Sequence, residues 1–293
     1  MLAGLASIFG YLLNFLYELV KNYGVSIILF TIIIKILMLP ISIKQQKTMK
    51  KSAKIQEKMK EIQDKYKNNP EKLNQETIQL YKTEKMSPFS GCLSAIVQIV
   101  LILAIFYLVR SPLTYMKKVD ANLIQQYTDE IQQSENKNNA YPEIAIINQK
   151  SGEDEKVYIN MNFLGLDLSS VPSQKLNDWK VYVIPVLYVI TSFISIRLTT
   201  KMQSSSKNKK ENVDNKIIDE SGLKKEDDSK NNELDAVSQA NKSMSYITPI
   251  MSVSIAAVAP LGLALYWLVS NILMIIERIV LNKFIKDKEE GEI

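Results

Sequence analysis

The sequence predicts an all-α integral membrane protein with five transmembrane helices, a cytoplasmic helical hairpin and a hydrophilic groove open to the cytoplasm and to lipid. Three observations predict it. Apolar runs of about 20 residues, the length a helix needs to cross a bilayer core, alternate with segments dense in Lys, Glu, Asn and Gln. Lysines gather in alternate connections, which orients the spans. One lysine, Lys35, lies inside the first run, VSIILFTIIIKILMLPISI from Val25 to Ile43, where a charge costs about 2.5–3.5 kcal/mol on insertion scales. A charge at that depth is kept by water, a partner or a substrate.

The first 21 residues come before that run. Ser7, Gly10, Asn14, Glu18 and Lys21 recur at near-helical spacing against Leu5, Phe9, Leu12, Leu13, Leu16 and Leu19, which predicts an amphipathic helix lying in the outer interface. The alternative is a cleaved leader, but a basic n-region and a clear small-residue cleavage site are both missing. The spans follow at 22–43, 89–110, 180–200, 243–259 and 261–281. Ala259-Pro260-Leu261-Gly262 is a turn signal between the last two, which makes them a helical hairpin.

Residues 44–86 carry twelve lysines and six acids, so segment 44–88 is placed in the cytoplasm. The connection 111–179 has more acids than lysines and is placed outside. The 201–242 segment and the 282–293 tail are then inside and the N-terminus outside.

Within 44–88, Ile55, Met59, Ile62 and Tyr66 make a narrow apolar stripe at i, i+4, i+7, i+11. Asn69 caps a second helix and Pro70 fills its first turn. Leu73, Thr77, Leu80 and Tyr81 continue a weaker stripe. This hairpin buries little area. It reads either as a solvated charged linker or as a docking surface for cytosolic partners or anionic headgroups, with Lys54, Lys58, Lys65 and Lys72 as its contact residues. Segment 201–242 is polar, nearly charge-balanced and expected to be disordered. The 111–179 connection is expected to hold a helix near 118–133 and strands at 143–148 and 156–160.

Each span carries a polar stripe: Thr31, Lys35 and Ser42; Ser94 and Gln98; Thr191, Ser195 and Thr199; Ser245, Thr248 and Ser252; Ser270, Asn271 and Glu277. Hydroxyls alone are weak signals, because they bond their own helix backbone. Lys35, Gln98 and Asn271 need partners or water in the hydrocarbon. Convergence of the stripes predicts a groove lined by Thr31, Lys35, Gln98, Thr191, Ser195, Ser252 and Asn271. Lys35 lies nine residues from Lys44, about 13 Å along a helix, farther than a lysine snorkels, so the groove opens inward or sideways. The competing reading is a lysine that snorkels or pairs structurally with a carboxylate. Glu277 is the obvious candidate partner, although it is expected near the inner surface.

Composition excludes other chemistry. Without histidine there is no Ser-His-Asp triad, no HExxH zinc helix and no imidazole base. A single cysteine excludes an internal disulfide and a Cys-cluster metal site. GxxxxGK[ST] is missing, so no P-loop hydrolysis is expected. No catalytic residue, metal or cofactor is expected, nor any specific nucleic-acid partner.

Three segments carry a family resemblance. They are NYGVSIILFTIIIKILMLPISIKQQ at 22–46, LYKTEKMSPFSGCL at 80–93, and Pro249 followed by GLALYWLVSNILMIIER at 262–278. Taken in this order, the chain resembles the YidC/Oxa/Alb membrane protein insertases in their short Gram-positive form. It departs from the family pattern at Lys35, where arginine is usual, at Ser87, Ser90 and Ser94, and at Ile99-Val100, where Met-Pro is usual; the second span is therefore expected to be straighter. A lysine keeps the charge but not the bidentate fork of arginine.

The resemblance implies an insertase, not an enzyme, in the bacterial plasma membrane. Its implied partners are nascent membrane proteins, the bilayer, the ribosome and targeting factors, with the Sec translocon as a further one. Lys35 would attract an acidic residue in the substrate's tail. The rival readings are a secondary transporter using Lys35 and Glu277, which lacks the paired repeats and broken helices of that class, and a structural scaffold.

Overall fold

The computed structural model describes residues 2–67, 69–84, 90–135, 140–204 and 257–290. The described chain is mainly helical: α1 (Leu2–Val20), α2 (Tyr23–Lys65), α3 (Pro70–Thr83), α4 (Ser90–Arg110), α5 (Ala121–Glu135), α6 (Pro142–Lys150), α7 (Val183–Ser204) and α8 (Leu261–Glu290). Four helical stretches are long and apolar enough to cross a membrane: Leu2–Val20, Tyr23–Thr48, Trp179–Leu198 and Leu261–Asn282. Ile99–Arg110 on α4 is a shorter apolar stretch. Of the predicted fourth span, only 257–259 falls within the described residues.

α2 begins at an asparagine cap, at the boundary expected for the first span. The Asn22 side chain accepts from the Val25 N–H at 3.1 Å, and Lys21 takes the left-handed conformation (φ 49°) that separates α1 from α2. Tyr23, Ile27, Phe30 and Ile34 then repeat along one face and are buried, while Ile36, Leu37 and Ile41 are exposed. Val186, Ile190 and Phe193 on α7, and Ile272, Ile276 and Ile279 on α8, also present exposed apolar stripes at helical spacing. Large apolar surfaces of this kind need lipid or protein to cover them.

Helix α2 continues for 43 residues, so the predicted first span and first hairpin helix form one rod, with Pro40 inside it. α3 folds back on the distal half of α2. Asn69 Oδ1 accepts from the Lys72 N–H at 3.1 Å and Pro70 opens the helix. Ile55 is buried, the Thr77 hydroxyl donates to Met59 Sδ, and Lys58 pairs with Glu84 at 2.6 Å.

The 111–182 connection is structured. The helix expected near 118–133 is α5. The strands expected at 143–148 and 156–160 are not formed. The first is α6, because Pro142 supplies N1 and Glu143 the acidic first turn; a short apolar run such as EIAII fits either a helix or a strand. The second is a 3-10 turn at Glu155–Val157 followed by extended chain. The pairing occurs later, between β1 (Asn162–Phe163) and β2 (Leu166–Asp167), with Asn162 opposite Asp167. Leu164 and Gly165 join them at φ 51° and 78°, the two positive values a tight hairpin turn requires.

This connection holds the helix ends. Tyr23 N–H donates to Asn160 O, Leu261 N–H to Ser170 O and Gly262 N–H to Leu168 O, at 2.9–3.0 Å. The starts of α2 and α8 therefore lie at one end of the bundle, the loop end, and both helices run away from it. A β-carbon at Gly262 would meet the Tyr23 ring at 3.3 Å and Val109 at 3.7 Å, which brings the end of α4 to the same level. α1 rests on the π-helical turn Leu113–Lys117 just past α4. Lys118 reaches Ser7 and the Tyr11 ring, while Lys117 reaches Glu18 and the Tyr17 ring. The backbone carbonyl of Tyr115 fills the place of a β-carbon at Gly10.

Glu143 ties α6 to that turn. Its carboxylate accepts from Leu113 N–H (2.7 Å), Thr114 N–H (3.0 Å) and the Thr114 hydroxyl (2.6 Å). Burial pushes its carboxyl up from the ordinary value, and the donors offset this only in part. A raised carboxyl costs nothing below its unfolded value and costs stability as pH rises through its folded one. Glu143→Gln therefore removes a fall in Tm with rising pH above about 4.5, measured in detergent. Glu143→Ala leaves the buried Leu113 N–H without its acceptor and lowers stability by about 1–3 kcal/mol.

Candidate functional site

Three helices that share a starting level bring their polar residues together. On α8, Asn271 and Arg278 are seven residues apart and so share a face, while Glu277 is rotated about 100° from Arg278. Asn271 faces α7. Its amide donates to Thr191 Oγ1 at 3.1 Å and Ser192 Oγ at 3.2 Å, and both Asn271 and Ser192 are buried. Arg278 also faces α7 and approaches Ser195 Oγ at 3.5 Å. Glu277 faces α2, where its carboxylate lies 3.8 Å from Lys35 Nζ. The Tyr188 and Trp267 rings pack one turn nearer the loop end.

Depth explains the Lys35–Glu277 approach. Lys35 is twelve residues into α2 and Glu277 sixteen into α8, about 18 and 24 Å from the loop end. The length of a lysine side chain covers the difference, so Glu277 is reached even though it lies nearer the helix ends. Both groups keep some exposure, 23% for the Lys35 side chain and 13% for Glu277.

Of the predicted groove residues, Lys35, Thr191, Ser195 and Asn271 are thus brought into one polar belt. Thr31 is buried and donates to the Ile27 carbonyl one turn back, satisfied by its own helix. The Gln98 side chain and Ser252 lie outside the described residues. Sequence reasoning passed over Ser192 and Arg278. Ser192 sits one position off the Thr191–Ser195 stripe. Arg278 was readable as the second polar residue on the Asn271 face, seven positions on.

At the far end of α2, the Lys54 side chain lies outside the described residues. Lys58 is paired with Glu84. Lys65 and Lys72 stand over the Tyr66 ring, 5.3 and 5.6 Å from its centroid. Among the described residues no group of His, Cys, Asp and Glu has the arrangement to hold a metal ion.

Comparison with known proteins gives a consistent result. Residues 15–289 match the family described as 60Kd inner membrane protein. A membrane protein insertase YidC from Fusobacterium nucleatum is 27% identical over 273 residues, 93% of this chain and 92% of that protein. A membrane protein insertase YidC from Caldanaerobacter subterraneus is 37% identical over 110 residues, 38% of this chain and 53% of the relative. One from Rickettsia prowazekii is 27% identical over 94% of this chain and 38% of its own length. The chain thus spans about half, or less, of the length of several relatives it matches.

The Asn271 amide is a polar link between two apolar helices, and such links average about 0.6 kcal/mol and reach about 1.7 in membranes. Asn271→Leu removes both hydrogen bonds to α7. It is expected to lower unfolding stability in detergent within that range, whereas Asn271→Gln, if its amide still reaches Ser192, recovers part of the loss.

Proposed function

The chain belongs to the 60Kd inner membrane protein family, and from this we propose that it is a membrane protein insertase that receives the hydrophilic segment of a nascent membrane protein in a polar groove. It is a multi-pass protein of the bacterial inner membrane, and the exposed apolar stripes of α2, α7 and α8 suit that solvent. The observation that carries the proposal is Lys35. It is a cation partway along a span, partly exposed, beside Glu277 and in a belt with Arg278, Ser195 and Asn271.

A substrate tail with an acidic residue is drawn to this positive site. The polar belt shortens the apolar distance the tail crosses. The substrate's own span then leaves sideways, driven by burial of its apolar surface in lipid. In this reading five helices cross the membrane, with the loop end outside. α1 lies in the outer interface, a position that suits the contacts of Ser7, Gly10 and Glu18 with the 115–118 turn just past α4.

The distal part of α2 with α3 is the cytoplasmic hairpin. It docks ribosomes or targeting factors through Lys54, Lys58, Lys65 and Lys72, and the Sec translocon is a further partner of the chain. Lys65 and Lys72, both held at the Tyr66 ring near the hairpin turn, are its exposed cationic tip.

Reconstituted liposomes and protease protection of a newly made substrate test the groove. Lys35→Ala impairs insertion of an acidic-tailed substrate and Lys35→Arg does not; equal insertion by wild type and Lys35→Ala sinks the proposal. For the hairpin, deletion of residues 50–82 abolishes crosslinking to ribosomes and targeting factors. Crosslinking that survives the deletion at full yield removes the docking role.

A further inference from the structure

We infer that Glu277 is a built-in occupant of the Lys35 site, standing where a substrate carboxylate binds, and that it sets which tails engage. The inference rests on the groove reading above. Apart from α1, which is read as interfacial and carries Glu18, the described apolar stretches Tyr23–Thr48, Ile99–Arg110, Trp179–Leu198 and Leu261–Asn282 contain a single acidic residue, Glu277. That one carboxylate lies beside the one lysine in the interior of the first span.

The pair has the geometry of an exchangeable contact. At 3.8 Å it lies outside the 2.7–2.9 Å range of a charge-assisted hydrogen bond, so Glu277 holds Lys35 by charge rather than by a fixed donor–acceptor geometry. Each side chain keeps some exposure, so an incoming carboxylate can approach Lys35 while Glu277 still neutralises it. The site therefore never presents a bare lysine to lipid.

Arg278 keeps the belt cationic when Lys35 is neutralised. It projects from the neighbouring position toward Ser195 on α7, about 100° around α8 from Glu277. Lys35, Glu277 and Arg278 together carry a net charge of +1 in their ordinary ionised forms. A carboxylate that takes Lys35 frees Glu277 on the same helix as a guanidinium. A neutral tail does not compete for Lys35, so Glu277 raises the threshold that an acidic tail must pass and leaves neutral tails unaffected.

The test is insertion into liposomes of two substrates identical except for one Asp or Asn in the tail. Glu277→Gln removes the competitor and raises insertion of the Asp substrate at limiting concentration by about three- to fivefold, the worth of a partly exposed ion pair. The Asn substrate is unchanged. Glu277→Asp, which keeps the charge but shortens its reach, gives a smaller gain. In a Lys35→Ala background Glu277→Gln gives no gain, because the competition acts through Lys35. A role for Glu277 confined to folding would lower insertion of both substrates alike and lower the Tm in detergent.

Glu277→Gln with an unchanged or reduced yield of the Asp substrate, while Lys35→Ala still impairs it, overturns this inference and leaves the groove standing. If Lys35→Ala is also without effect, the groove reading itself fails.

Discussion

Three backbone hydrogen bonds set the depth of Lys35 and Glu277 relative to one another. Tyr23, Leu261 and Gly262 give their N–H groups to Asn160, Ser170 and Leu168. These are N–H groups at helix starts, which have no partner within their own helix. The connection that supplies the acceptors fixes where α2 and α8 begin relative to one another. Once the starts are level, 1.5 Å per residue carries Lys35 and Glu277 to within a side chain's length of each other. A one-residue slip of either helix would turn its polar face by 100° and separate them.

The clamp is itself held by local polar chemistry. The Asp167 carboxylate accepts from the hydroxyls of Ser169 and Ser170, from the Ser169 N–H and from Lys175. Burial alone would raise its carboxyl, but these donors outweigh burial and hold it below the ordinary value. The same short stretch supplies the Leu168 and Ser170 carbonyls to α8. Phe163 packs where a β-carbon at Gly24 would sit, and Asn22 reaches the Asn162 carbonyl at 2.7 Å. One small β-hairpin thus contacts the starts of two helices that are over 200 residues apart in the chain.

What was legible in the sequence is what local physics decides. The Asn69-Pro70 start of α3 and the Pro260 turn before α8 both follow from capping and proline rules. Lys35, Thr191, Ser195 and Asn271 were visible as polar interruptions of apolar periodicity. The helical state of 142–150 was not, because the four apolar residues Ile144–Ile147 carry no decisive period. Nor was the role of residues 160–170, whose carbonyls are ordinary until they meet helix starts distant in the sequence. The Lys35–Glu277 approach was legible only as a candidate pairing, with Glu277 expected near the inner surface. It depends on relative helix depth, which no single span encodes, and the lysine's reach then closes about 6 Å.

The two ends of the α2–α8 pair are held unequally, and this bears on how a groove between them works. At the loop end there are directional backbone bonds near 3 Å and the packing of Tyr23 against Gly262. Deeper in, the contact that joins α2 to α8 by charge is 3.8 Å long and partly exposed. Directional bonds lose their energy over a few tenths of an ångström, whereas a charge pair weakens only as the inverse of distance. Small outward movements of α2 at the depth of Lys35 are therefore cheap, while the same movement at the loop end breaks hydrogen bonds. The bundle is held by directional bonds where its register is set and by charge at Lys35, which suits the proposed exchange there of an internal carboxylate for a substrate's.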